Sequence, residues 1–414
     1  MKRRVVVTGY GVISPLGADR REFADALASG RSAIRLLDFD DHAGERRGGA
    51  WVGAPVARCA PTLARRMDVD LTDRVSRHAL VAGCEAVEQS GLCAEPGLAV
   101  QAGVYVGTSM GGAQSIERAY GDMFLRESEP RPFSILSAMN NAAAGHLSMR
   151  FGLKGPNVTF SSACASSTIA IGEAFHAIRG GLLDCAMAGG TEACLVPGVL
   201  RAWSAMRVLA RPDDRDPAAS CRPFSRDRRG IVLGEGAAIF VLERLETALH
   251  RRAPILGEIL GYGMSADATH ITNPNVEGQS RAMSNALTDA GLDPCDIDYV
   301  NAHGTATHAG DISESAAIKR VFGAAARRIA VSSTKSVHGH LLGAAGAVEL
   351  AACLCAQRGG FLPATMHLAE ADPECDLDYV ANAPRHGAAI HRFMSNSFAF
   401  GGSNAVLIGG AFRD

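Results

Sequence analysis

Hydrophobic and polar positions along the chain fall into two recurring patterns. Short β-branched or aromatic runs bounded by glycine or serine predict strands, and longer small-apolar runs closed by glycine predict helices. Residues 158–181, VTFSSACASSTIAIGEAFHAIRGG, carry both in one unit. Val158, Thr159 and Phe160 predict a strand, and Ser161, Ser162 and Ala163 a tight turn. Residues 165–178 predict a helix closed by Gly180-Gly181. Its only carboxylate is Glu173, so it is apolar on nearly all sides and expected to be buried. Cys164 lies in the turn, where the helix dipole and free N–H groups lower a thiol's pKa. The same position suits an inert core cysteine equally well.

Elsewhere the pattern predicts a first strand at 4–7 running into Gly9-Tyr10-Gly11, and an irregular region at 18–72 with helical patches near 22–29. A helix is expected over 76–90, a strand over 98–106, a glycine-rich turn over 107–112, a small-residue helix over 140–149 and a strand over 184–188. The same marks then return in order. Gly261-Tyr262-Gly263 echoes Gly9-Tyr10-Gly11, and a helix over 280–290 ending Gly291-Leu292 echoes the one ending Gly91-Leu92. The strand entering Tyr299-Val300 and the Gly304-Thr305 turn echo Tyr105 to Thr108. Val331-Ser332-Ser333, followed by a helix ending Arg358-Gly359-Gly360, echoes the Cys164 unit, and Gly401-Gly402-Ser403 echoes Gly189-Gly190-Thr191. Five echoes in order point to two related α/β halves, residues 1–250 and 251–414, each a sheet covered by helices. The longer spacing in the first half places an insertion within 18–72.

Composition narrows the class. The 414 residues carry a net charge of −2, with 20% charged and 47% hydrophobic positions, which describes an ordinary soluble globular chain. It excludes a long disordered tail and a global nucleic-acid signature. Eleven cysteines, none in a CxxC pair, argue against a disulfide framework or zinc site and fit a reducing, cytoplasmic setting. The start, MKRRVVVTGYGVISPLG, is basic, but its apolar run is three valines, so it reads as a strand rather than a signal peptide. Without a run of eighteen apolar residues, no membrane span is expected.

Several stretches carry candidate chemistry. Gly9-Tyr10-Gly11 follows a strand as a dinucleotide fingerprint does, but Ser14 stands where the third glycine belongs. Gly107-Thr108-Ser109-Met110-Gly111 fits the G-x-S-x-G elbow of serine hydrolases, with Ser109 as nucleophile. Against it, the late histidines sit in dense motifs with Lys, Thr and Glu. Asn301-Ala302-His303-Gly304-Thr305-Ala306-Thr307 ends a strand, and Asp311 and Glu314 follow at helical spacing. Ser333-Thr334-Lys335-Ser336-Val337-His338-Gly339-His340 holds the place in the second half that Cys164 holds in the first. A pseudo-twofold between the halves would let Cys164 and His340 face one site. Residues 201–229 hold eight arginines and four aspartates, either a solvated loop or a positive rim for an acidic partner.

Taken together, SSACASS, NAHGTAT, STKSVHGHLLGAAGAVE and FAFGGSN resemble the elongating β-ketoacyl-[acyl carrier protein] synthases of fatty acid and polyketide synthesis, nearly end to end. That resemblance implies a thiolase fold: two duplicated halves in five αβαβα layers. It implies a decarboxylative condensation between an acyl thioester on Cys164 and a malonyl unit on the carrier protein. His303 and His340 match the pair that assists decarboxylation, and Lys335 the nearby lysine, with Glu314 as its expected partner and Asp311 and Glu349 as further supporting carboxylates. Phe400 matches the gating phenylalanine beside Ala399, and the backbone N–H groups of Cys164 and Phe400 the oxyanion hole. Thr305 and Thr307 match residues holding the phosphopantetheine arm, and Met110 the acyl-pocket lining; apart from the resemblance, the charge of the 201–229 loop makes Arg222 and Arg226 candidates for a carrier dock. No metal or resident cofactor is implied, because the phosphopantetheine arrives on the carrier.

Four positions depart from the usual motifs. His338 stands where a small or apolar residue is usual, His308 where proline is common, and Ile312 where lysine is common. Ala399 replaces the first glycine of G-F-G-G, and alanine disfavours positive φ. These departures point to a specialised polyketide or polyene pathway, the alternative being housekeeping fatty acid elongation. Cys164 separates the chain from cysteine-less chain-length-factor subunits, with one of which, or with a second copy, it is expected to dimerise through its first half. A non-catalytic partner subunit and a Ser109 hydrolase are the competing classes, and no nucleic-acid or membrane partner is expected.

Overall fold

The computed structural model describes residues 3–39, 50–57 and 72–413. Its main sheet has ten strands: β1 Val5–Ile13, β2 Gly103–Gly107, β3 Asn157–Phe160, β4 Cys185–Glu192, β5 Gly236–Arg244, β6 Gly257–Ala266, β7 Tyr299–Asn301, β8 Ala330–Ser332, β9 Arg392–Phe398 and β10 Ser403–Gly410. Their order across the sheet is β3-β2-β4-β5-β1 and then β6-β10-β9-β7-β8. Each strand of the first half has a counterpart five labels later, in the mirrored position. β2 runs parallel to β3 and β4, while β5 is antiparallel to β4 and β1; the second half repeats that pattern. The halves meet where Val5–Val7 pair antiparallel with Gly257–Ile259.

Seven helices frame the sheet: α1 Arg20–Ser29, α2 Arg74–Ser90, α3 Ala142–Phe151, α4 Ser166–Arg179, α5 Val276–Ala290, α6 His308–Phe322 and α7 Ala345–Gly359. α4 and α7 pack on each other and each touches strands of both halves, so they form a central layer. α2 and α3 cover the outer face of the first half, and α5 and α6 that of the second. The result is the five-layer αβαβα thiolase fold. Central position explains composition: Ala345 to Ala356 of α7 is buried at every residue, with only Glu349 charged among them.

The repeated Gly-Tyr-Gly is a packing device, not a nucleotide loop. It lies inside β1 and inside β6, not after them. A Cβ on Gly9 or Gly11 would collide with the carbonyl oxygen of Ala86 or Ala82 in α2, and one on Gly261 or Gly263 with Ala286 or Ala282 in α5. Glycine therefore lets each helix backbone seat directly on its strand. Just before each motif the register slips by one residue, leaving a bulge at Thr8 and at Leu260. The next tyrosine amide then bonds sideways to its helix: Tyr10 N–H to Gln89 Oε1 at 3.0 Å, and Tyr262 N–H to Asp289 Oδ2 at 3.1 Å.

Three expectations change. The strand expected over 98–106 begins only at Gly103, because Pro96 starts a short helix, Pro96–Gln101, in a run whose apolar residues suit either state. Gly189-Gly190 lies inside β4, whereas Gly401-Gly402, with φ of +85° and +76°, forms the turn from β9 to β10. β9 is the counterpart of β4, so that echo joins unequal positions. Residues 18–72 are less irregular than expected. They hold α1, capped by the Asp19 carboxylate, and short strands Arg35–Leu37 and Trp51–Ala54, while 40–49 and 58–71 lie outside the described residues. Among the described residues, no helix is long and apolar enough to cross a membrane.

Candidate active site

β3 ends in a sharp turn that presents Cys164 ahead of α4. Ala163 sits at φ +45°, a conformation rarely used outside glycine. Three hydroxyl contacts hold it there. The Ser166 and Ser109 hydroxyls donate to the Ala163 carbonyl at 2.6 and 2.8 Å, and the Ser162 amide donates to Ser166 Oγ at 2.8 Å. Gly107 of β2 is required here, since a Cβ would collide with the Ser166–Ser167 backbone. Ser109 is thus spent on supporting the cysteine turn, and the hydrolase reading of Gly107–Gly111 loses its nucleophile.

β8 is the counterpart of β3, and its exit carries Lys335 to His340. Because α4 and α7 pack together in the central layer, the two exits converge. His340 Nε2 lies 3.0 Å from Cys164 Sγ, and the His303 ring stands edge-on to His340 with centroids 5.3 Å apart. Cys164, His303 and His340 are all buried and line one cavity of about 220 Å³. Burial, reinforced by the Lys335 charge, holds both imidazoles well below their ordinary pKa, so both are neutral at pH 7. Burial also pushes the Cys164 thiol up to about 12, with Lys335 opposing. The lowered thiol pKa expected from the helix start is therefore outweighed by desolvation, and Cys164 rests as a thiol. The Phe400 backbone N–H is directed at its sulfur.

Lys335 has a different partner from the one expected. Its ammonium is fully buried, ion-paired with Glu349 of α7, and donates to His303 Nδ1 at 3.4 Å. An ammonium can only donate, so Nδ1 must accept and His303 carries its proton on Nε2. Glu314 of α6 instead accepts from the His303 and Gly304 amides at 2.8 and 2.7 Å and from Asn396 Nδ2 at 3.0 Å, fixing the histidine's backbone. Asp311 lies away from the cavity. It accepts from the Phe224 amide at 2.7 Å and pairs with the buried Arg228 at 3.4 Å.

Thr305 and Thr307 line the cavity with their hydroxyls 2.9 Å apart, and Phe400 and Ala399 line the same cavity. The Phe400 ring stacks on Trp203 at 6.0 Å. Positive φ in this loop falls on Gly401 and Gly402 but not on Ala399, so alanine there is unstrained, contrary to expectation. Met110 is 40% exposed and lies outside this cavity. Arg222 is buried and paired with Asp213 at 2.5 Å and Asp227 at 2.6 Å, so its charge is internal and it is not a docking residue. Arg226 is exposed and pairs with Glu370 at 2.9 Å. Arg228 donates to the carbonyls of Thr307 and His308 at 3.1 and 2.8 Å, making this arginine-rich loop a brace for the threonine loop.

Sequence reasoning missed Glu192. This buried carboxylate accepts from the amides of Ser109, Met110 and Gly343 at 2.8, 3.2 and 3.0 Å, tying the 107–112 turn to the start of the His340-side helix. Burial pushes it up to about 7. The available signal was a single acid in the apolar run AMAGGTEACLV. One donor atom from each of Cys164, His303 and His340 lies within 4.8 Å of the others, a set that could by itself take a soft metal. The Lys335 contact opposes this, since it holds a proton on the His303 nitrogen that would have to bind.

Residues 2–248 match the family model described as Beta-ketoacyl synthase, N-terminal domain, and residues 256–369 that described as Beta-ketoacyl synthase, C-terminal domain. The chain is 45% identical over 409 residues to Nodulation protein E of Rhizobium meliloti (strain 1021), covering 98% of this chain and 99% of that protein. It is 41% identical over 414 residues to 3-oxoacyl-[acyl-carrier-protein] synthase 2 of Staphylococcus aureus (strain COL), covering 98% of each. Among solved structures, the ishigamide ketosynthase/chain length factor matches with a TM-score of 0.91 and 34% identity over 100% of both chains.

Proposed function

Because the chain belongs to the beta-ketoacyl synthase family and is a condensing acyltransferase, we propose that Cys164 takes the acyl chain and that His303 and His340 serve the malonyl unit. The observation that carries this is the 3.0 Å contact between Cys164 Sγ and His340 Nε2 with His303 beside it. In loading, the thiol attacks the acyl thioester, its C–S bond to the phosphopantetheine breaks, and the thiol proton passes through solvent to the departing sulfur, while neutral His340 keeps its proton on Nε2, directed at the Cys164 sulfur. The N–H groups of Cys164 and Phe400 stabilise the oxyanion. In condensation, loss of CO₂ leaves an enolate, and N–H donors on His303 and His340 hold its oxygen. The enolate carbon then attacks the Cys164 thioester, the C–S bond breaks, and the thiolate recovers a proton from solvent. The arm of the carrier protein is held by Thr305 and Thr307, and no resident cofactor enters any of these steps.

For the pathway, we propose a specialised polyketide or polyene role. The Nodulation protein E and ishigamide likenesses support it, while the likeness to synthase 2 keeps fatty acid elongation as the alternative. Full rescue of a strain lacking its elongating synthase would overturn it. We also propose a dimer, with a second copy or a chain-length-factor-like subunit, acting in a reducing, cytoplasmic setting. Supporting this, Phe124, Leu125, Ile135 and Met149 expose apolar side chains on successive packed helices that lead to β3, the open edge of the sheet. A monomeric mass at micromolar concentration would refute it. The central test is mass addition. Incubation with an acyl-[acyl carrier protein] adds one acyl group at Cys164, and Cys164→Ala adds none; an unmodified Cys164 in folded protein would overturn the proposal.

A further inference from the structure

His338 belongs to none of the steps above, yet it is fully buried between the segments that carry them. Its Nδ1 lies 2.8 Å from the Gly339 carbonyl oxygen, which can only accept, so Nδ1 carries the proton and donates. Its Nε2, 2.9 Å from Thr334 Oγ1, must then accept from that hydroxyl. Thr334 Oγ1 in turn receives Asn301 Nδ2 at 3.4 Å, and Asn301 bonds on to the Tyr299 hydroxyl at 3.2 Å.

One ring is thereby tied to three places: the peptide leading into His340, the residue before Lys335, and the strand end two residues before His303. Gly339 has φ of +70°, so its peptide is not set by ordinary backbone preference, and a side-chain hydrogen bond has leverage on it. Beyond it, His340 is clamped by its own backbone, its amide donating to the Val232 carbonyl at 2.7 Å. Burial pushes the His338 ring down to about 3, so its protonation pattern is the same throughout the working pH range.

From this geometry we infer that His338 is a positioning residue that sets the His303–His340 separation, and with it the rate of malonyl decarboxylation. This rests on the roles proposed above for the two histidines. Loading of Cys164 uses one histidine, whereas decarboxylation needs both converging on one oxygen. A misplacement of about 1 Å costs on the order of 10²-fold in such arrangements. His338→Ala should therefore lower kcat for malonyl-[acyl carrier protein] decarboxylation at least about tenfold more than it lowers acyl loading, with KM within about twofold. His338→Asn keeps a donor for the Gly339 carbonyl and should recover most of that loss.

The test measures both half-reactions on the full chain, with thermal midpoints in parallel. Equal losses in the two half-reactions, losses that only track unfolding, no loss at all, or no recovery in His338→Asn would each overturn the inference. Where His338→Ala fails to fold, Thr334→Val removes the His338 Nε2 tether and the link through it to Asn301, leaves the Gly339 tether in place, and should give a smaller loss with the same selectivity; a non-selective loss overturns it. Wild-type protein that neither loads nor decarboxylates would instead sink the proposed roles of the histidines.

Discussion

Replacing Lys335 by methionine removes the cation paired with the buried Glu349 and the donor to His303 Nδ1 together. Both side chains of the pair are fully buried, so the single variant leaves an uncompensated carboxyl in the core. Breaking such a pair from one side destabilises by about 3–5 kcal/mol, whereas replacing both partners with apolar residues is often neutral or stabilising by about 1–4 kcal/mol. Lys335→Met should therefore unfold at markedly lower urea, and adding Glu349→Leu should return stability to the wild-type level or above. Glu349 is already pushed up to about 7 by burial, and losing Lys335 raises it further. A carboxyl whose folded pKa lies above its unfolded value is tolerated when protonated, so the single variant's deficit should be small near pH 5 and grow as the pH rises through about 7. Activity should part company with stability. His303 loses the contact that keeps its proton on Nε2, and loss of one oxyanion donor is worth about 10²–10³ in rate, which bounds the fall in decarboxylation. The double variant should be stable and still slow, read by urea melts at several pH values and by CO₂ release from malonyl-[acyl carrier protein]. A double variant as unstable as the single one would refute the coupling, and one with restored decarboxylation would reduce Lys335 to a counter-ion for Glu349.

Alkylation of Cys164 by iodoacetamide should keep rising roughly tenfold per pH unit through about pH 9, because the buried thiol is pushed up to about 12; a plateau below pH 8 would show a stabilised thiolate. Ser109→Ala should lose about 1 kcal/mol with its bond to the Ala163 carbonyl and keep acyl loading within about tenfold; complete loss would revive Ser109 as nucleophile. Gly263→Ala should destabilise by about 1–3 kcal/mol through its clash with the Ala282 carbonyl, without changing KM for the carrier substrate. A neutral urea midpoint there would mean that α5 is not seated on β6 as described.

Much of this molecule is local, and what is local was legible. The turn around Cys164, the helices ending at Gly91 and Gly291 and the duplicated order of elements all follow from periodicity and glycine placement, which act over a few residues. The meeting of Cys164 with the histidine loops could be expected only because the halves repeat. What chemical type alone left open was which partner each buried charge would take. Lys335 and Glu314 lie in motifs that suit a pair, yet α7 brings Glu349 to the ammonium while α6 turns Glu314 onto the His303 and Gly304 amides. Arg222 carried a formal charge that promised a surface, and the fold spent it on Asp213 and Asp227. The thiol was expected low from its helix start and is held high by burial, a property of the packed layers rather than of the turn. Spacing along the chain sets dihedrals and faces; desolvation and long-range pairing depend on what the other half of the sheet places opposite, and only the assembled five layers decide that.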